Sequence, residues 1–135
     1  MIEAQTLLLS LFAPYILWPI EILFPRPQIV EELFKFLILL PLVRSDLKPG
    51  RKIVIALLAG LGFALTESVF YLYKIFLAGG FSSLIERLLL TIPLHMFTYF
   101  LILIPSLYKK KLMLLGLVAA IVVHYYFNLY IALRF

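Results

Sequence analysis

Six residues of this chain are suited to chemistry, and each lies in or at the edge of an apolar stretch: Glu31, Glu32, Glu67, His95, His124 and Asn128. Lys35 and Arg87 accompany them as supporting cations. There is no cysteine, which removes thiolate nucleophiles, disulfides and Cys-type metal sites. What is left suits hydrolysis of an amide. That reaction needs water made nucleophilic, a donor for the developing oxyanion and an acid for the leaving amine. A glutamate stripped of water could act as base and a histidine as acid, with the Asn amide or a His N–H donating to the oxyanion. Equally, Glu67, His95 and His124 could be three zinc ligands around an open position, with Glu31 or Glu32 as base. No HExxH motif occurs, and the sequence supports both routes.

The elements that must position these groups follow from composition. Of 135 residues, 64% are hydrophobic and 14% charged, and the mean hydropathy is +1.10, far more apolar than a soluble domain. One compact aqueous core could not enclose so much apolar surface, so the expected solvent is a lipid bilayer. A single membrane-embedded all-α domain over residues 1–135 is expected, a polytopic bundle of about five helices. The segments run from about Thr6 to Phe24, Gln28 to Val43, Lys52 to Leu77, Ser82 to Tyr108 and Leu112 to Leu133. Pro25 and Pro27 separate the first two, Gly79-Gly80 ends the third, and Pro93 predicts a kink in the fourth. The second is short for a crossing and carries Glu31, Glu32 and Lys35. Glu3, with no basic residue before the first segment, argues against a secretory leader.

The net charge of +5 is accounted for by topology and does not call for nucleic acid. Arg44, Lys48, Arg51, Lys52 and Lys109 to Lys111 fall in two loops on one side of a five-span arrangement, which places the N-terminus in the cytoplasm. Counting about 1.5 Å per residue then brings the candidate site to one layer between mid-membrane and the outer interface, among helices two to five. Helical spacing adds shared faces: Glu31 with Lys35, Phe63 with Glu67 and Tyr71, Arg87 with Thr91 and His95, His124 with Asn128. Each has a plainer use when taken singly. Glu31 and Lys35 form a favourable helical ion pair, Arg87 reaches headgroups, and the histidines and Asn128 bond neighbouring helices. Glu21 and Glu86 read as headgroup-level carboxylates. Glu67 resists such an account, because it sits deep among apolar neighbours with no basic residue within a helical turn.

The order of motifs is similar to that of a known group. Glu31-Glu32-Leu33-Phe34-Lys35 resembles an EExxK motif, and Gly62-Phe63-Ala64-Leu65-Thr66-Glu67-Ser68 a GFxxxEN-type motif. Pro93-Leu94-His95 follows, then the HxxxN ending His124 to Asn128. Together they resemble the PrsW family of intramembrane proteases, related to the CAAX-processing and bacteriocin-immunity (ABI, or CPBP) proteases. Ser68 stands where that family often has Asn, and Glu67 where the CAAX branch would have histidine, which favours PrsW over that branch. The resemblance implies a catalytic centre of Glu31, Glu32, Glu67, His95, His124 and Asn128. It also implies cleavage of membrane-anchored substrates such as an anti-sigma factor, at the outer side of a prokaryotic plasma membrane. Two other classes fit the residues: a small proton- or ion-linked transporter using Glu67 and the histidines as a relay, and a catalytically silent membrane binding protein.

Overall fold

The computed structural model describes residues 1–134, with the side chains of 71, 73–76, 78–80 and 134 outside the description. The chain is all-helical over those residues. Helix α1 spans Ile2–Glu21, α2 spans Pro27–Arg44, α3 spans Pro49–Tyr108, and a single tight turn at Lys110–Leu112 leads into α4, Met113–Arg134. Proline starts both α2 and α3, where its missing N–H leaves no intrahelical bond unmade.

The 60 residues of α3 do not form a rod. A straight helix would hold Glu67 and His95 about 42 Å apart, yet their side chains touch. The run doubles back between two apolar limbs, Pro49–Phe70 and Phe81–Tyr108, which correspond to the third and fourth segments expected from sequence. Gly60 marks how closely the limbs approach. A Cβ there would lie 2.6 Å from Met96 Cα and 2.7 Å from the His95 carbonyl oxygen. Gly116 serves the same purpose for α4, where a Cβ would meet the Leu101 carbonyl and lie 2.9 Å from Ile102 Cα.

Among the described residues, three stretches are long and apolar enough to cross a membrane: Pro49–Phe70, Phe81–Tyr108 and Lys110–Leu133. Helix α1, expected as a crossing, and α2, read as short for one, are not among them. Glu3, Gln5, Thr6, Ser10 and two prolines dilute α1, and Gln28, Glu31, Glu32 and Lys35 dilute α2. The four polar residues of α2 are buried inside the bundle, while Leu33, Leu37, Leu58, Val69, Leu115 and Val118 are exposed. This inverted polarity is that of a protein solvated by lipid.

The interior divides along its length. At the end holding the basic loops, Leu39 and Leu42 of α2, Ala56 and Ala59 of the first limb, Ile102 and Leu103 of the second, and Met113 and Ala120 of α4 form an apolar core. Glu3 accepts two bonds from Arg51, at 2.9 Å from Nε and 2.7 Å from Nη2, tying the starts of α1 and α3 together. Lys52 donates to the Val43 and Ser45 carbonyls at 2.9 and 2.7 Å, satisfying the C-terminal end of α2. Farther along, the interior becomes polar. Glu32, Glu67, His95 and His124 stand 12, 16, 13 and 14 residues from Arg44, Arg51, Tyr108 and Lys110 at the basic end. At 1.5 Å per residue that is one layer, about 18–24 Å from the basic end.

The close approach at Gly60 predicts that Gly60→Ala pushes the limbs of α3 apart and costs about 1–3 kcal/mol. Gly62→Ala, whose Cβ would meet only Leu11 Cδ1 at 3.8 Å, is expected to be tolerated. Denaturant unfolding of the two variants in detergent, followed by circular dichroism, checks the contrast.

Candidate functional site

The polar layer is built around the Lys35 ammonium, which is fully buried. Nζ donates to Glu32 Oε1 at 2.6 Å, to His95 Nδ1 at 2.7 Å and to Thr98 Oγ1 at 3.1 Å, so all three of its protons are engaged. It also lies over the Phe63 ring, 4.6 Å from the centroid. Glu32 Oε1 accepts a second bond, 2.6 Å from His124 Nδ1. Glu67 Oε2 contacts His95 Nε2 across the two limbs of α3. The two imidazoles are 5.2 Å apart and nearly perpendicular. Glu31 Oε2 faces His124 Nε2 at 3.9 Å. Helices α2 and α4 and both limbs of α3 therefore supply the cluster.

The structure groups Lys35 and the two histidines with other carboxylates than the sequence suggested. Lys35 pairs with Glu32, one residue nearer than the expected Glu31, because the i,i+3 direction points into the bundle here. The carboxylate whose ligand atom lies within 4.8 Å of those of both histidines is Glu31, where Glu67 was expected. Glu21, expected at headgroup level, lines a cleft with Glu31 and Glu67. Asn128 is half-buried one turn beyond His124 and makes no hydrogen bond among the described residues. Arg87 is half-buried on the second limb, about 12 Å along the axis from His95. Thr91 is buried, and the side chain of Tyr71 lies outside the described residues. Thr98 was missed. It accepts from Lys35 and donates to the His95 carbonyl at 3.2 Å, and its place one turn after His95 was the available signal.

Two buried carboxylate oxygens, Glu31 Oε2 and Glu32 Oε2, have no hydrogen-bond partner among the described residues, while Glu67 Oε2 and His95 Nε2 have only each other. Buried polar atoms are nearly always satisfied, so two orphans in one layer mark a place built to receive something else.

The family model described as "PrsW family intramembrane metalloprotease" matches residues 21–134. The chain belongs to the PrsW family. No curated protein and no solved structure matches it.

The residues present fit the metal that the PrsW description implies. Glu31, His95 and His124 converge as one carboxylate and two imidazoles, a donor set suited to zinc. His124 donates its Nδ1 proton to Glu32, which leaves Nε2 bare and oriented, the usual support for a metal-binding histidine. His95 differs. Its Nδ1 accepts from Lys35, so its own proton sits on Nε2 toward Glu67 and must leave before that nitrogen can bind a cation.

The buried Lys35–Glu32 pair is expected to dominate local stability. Lys35→Met leaves a carboxylate uncompensated and should cost about 3–5 kcal/mol. Arg51→Met breaks only the exposed pair with Glu3 and should lower the unfolding midpoint far less. Paired denaturation curves in detergent test the ranking.

Proposed function

We propose that this PrsW-family protein is an endopeptidase that hydrolyses a peptide bond of a membrane-anchored protein at the cluster of Glu31, Glu32, Glu67, His95 and His124. The observation that carries the reading is the set of orphaned carboxylate oxygens and the bare His124 Nε2 converging from separate helices inside an apolar bundle. Glu31, His124 and His95 would hold a zinc ion, which when bound lowers the pKa of water and polarises the scissile carbonyl. Glu32 orients His124 by accepting its Nδ1 proton, and is itself held by Lys35. Glu67 lines the cleft beside Glu31, where its carboxylate can take a proton from attacking water. With His95 Nε2 held as a ligand, Glu67 beside it would pass that proton on to the leaving amine. Asn128 joins as a donor to the substrate carbonyl.

A metal-free glutamate route is the second reading, and one observation favours it. The Lys35 bond to Nδ1 makes His95 an N–H donor at Nε2, the state suited to an oxyanion and not to a cation.

The proposed setting is the plasma membrane of a prokaryote, with the N-terminus in the cytoplasm and an anti-sigma-factor-like substrate. The basic loops support it. A bilayer core of about 30 Å leaves the layer about 6–12 Å below the face opposite those loops. Cleavage would then occur in the outer half of the membrane.

The direct test is reconstitution with single-span substrates. Glu32→Ala, Glu67→Ala and His95→Ala should each cut at least about 100-fold more slowly than the parent protein; cutting at the parental rate overturns the assignment. Elemental analysis separates the two routes. One zinc per chain, lost in His124→Ala and Glu31→Ala, supports the metal centre, whereas activity that survives chelation without zinc leaves the glutamate route.

A further inference from the structure

A second concavity lies between α1 and α2, apart from the polar cluster. It is a groove of about 560 Å³ lined by Leu17 and Ile20 of α1 and by Ile29, Leu33 and Leu37 of α2, with Phe24 of the connection at one end. Ile20, Phe24, Ile29, Leu33 and Leu37 are all exposed, so the groove opens to the surface that lipid covers. None of Glu31, Glu32, Glu67, His95 and His124 lines it. Its one polar lining residue is Arg26.

The depth of the groove follows from the same counting that placed the cluster. Arg26 stands 18 residues from Arg44 at the basic end, and Leu37 stands 7. At 1.5 Å per residue the groove therefore runs from about 10 Å to about 27 Å above that end. In a hydrocarbon core about 30 Å thick, it covers the depth of the leaflet opposite the basic loops and brings Arg26 to the headgroups there. The Arg26 guanidinium is exposed and makes no hydrogen bond or ion pair among the described residues. Its Cζ lies over the Tyr125 ring, 5.2 Å from the centroid, a contact that uses none of its five N–H donors.

Volume and charge choose the occupant. A helix about 10 Å across needs about 1,300 Å³ over that length, more than twice what the groove offers, so a helix of another protein would seat only an edge. An acyl chain can enter whole. Its headgroup phosphate would then meet Arg26, whose planar fork pairs with two phosphate oxygens at once. A choline headgroup gains less, because Arg26 already occupies the Tyr125 face that would receive a quaternary ammonium.

We infer that this groove holds one anionic phospholipid of the leaflet opposite the basic loops, with an acyl chain along α2 between Ile29 and Leu37 and the phosphate on Arg26. The site is separate from the proposed endopeptidase centre and does not depend on it.

The test is native mass spectrometry of the full chain, released from detergent that contains equal amounts of phosphatidylglycerol and phosphatidylcholine with the same acyl chains. One phosphatidylglycerol per chain should stay bound, favoured about fivefold over phosphatidylcholine. Arg26→Gln should bring that ratio to about one, and Arg26→Lys should keep part of it. Leu33→Trp fills the groove from an exposed position and leaves Arg26 in place, so it should release the lipid of either kind. Should Arg26→Gln fail to fold, Arg26→Lys and Leu33→Trp carry the test. Lys110→Gln, at the basic end, should leave the ratio unchanged. Equal retention of the two lipids by the parent protein, a preference that survives Arg26→Gln or falls in Lys110→Gln, or retention unaffected by Leu33→Trp overturns the inference. Displacement by glycerol 3-phosphate would reduce the site to an anion contact without a groove. Displacement by a single-span peptide, or a lipid-free dimer, would give the groove to a helix; each of these outcomes also overturns it.

Discussion

A charge buried in a bundle that lipid surrounds has no water to fall back on, and the architecture around the polar layer follows from satisfying one such charge, the Lys35 ammonium. Its partners come from two directions: Glu32 from its own helix, His95 and Thr98 from the second limb of α3. Glu32 passes the connection to His124 on α4, and the first limb covers the ammonium with Phe63. Sliding any of these helices by one residue would strip a partner from a buried ion. That penalty fixes the register of the bundle more firmly than apolar packing could, since lipid is as apolar as the core it borders.

The remaining features serve that register. Gly60 lets the first limb press against the backbone of the turn that carries His95, so Glu67 and Phe63 reach across to the imidazole. Gly116 brings α4 against the second limb, which sets the distance from His124 to His95. The apolar core at the basic end carries no candidate chemistry and supplies the packing that holds the polar end open. Ser10 accepts a bond of 2.7 Å from the buried Tyr99 hydroxyl and anchors α1 beside the cleft, although α1 contributes nothing to the cluster itself.

Much of this was legible in the sequence because two periodicities are strong. Apolar runs gave the helices, and residue counts from the basic loops gave a common depth to Glu32, Glu67, His95 and His124. The PrsW resemblance read from the same residues agrees with the family match. Partners were not legible. Glu31 and Glu32 differ by about 100° around the helix, and only the crossing of α2 with α4 decides which of them meets His124. The i,i+4 rule favoured Glu31 for Lys35, but that rule describes an exposed helix, and inside the bundle the inward direction wins. The direction in which Glu21 points was not legible either. Depth alone put it at the headgroups, whereas the lateral position of α1 turns it toward the cleft.

The network also makes two chemically identical side chains unequal. Lys35 can only donate, so the His95 nitrogen it meets must accept, and the ring proton is driven to Nε2. Glu32, as a carboxylate, can only accept, so the His124 nitrogen it meets must donate, and Nε2 there is left bare. One imidazole thereby offers a proton and the other a lone pair, within 5.2 Å of each other. Hydrolysis of an amide needs both, held apart in role and close in space. A lysine outside the cleft lining sets this difference, because the same Lys35–Glu32 pair that fixes the helix register also assigns the protons.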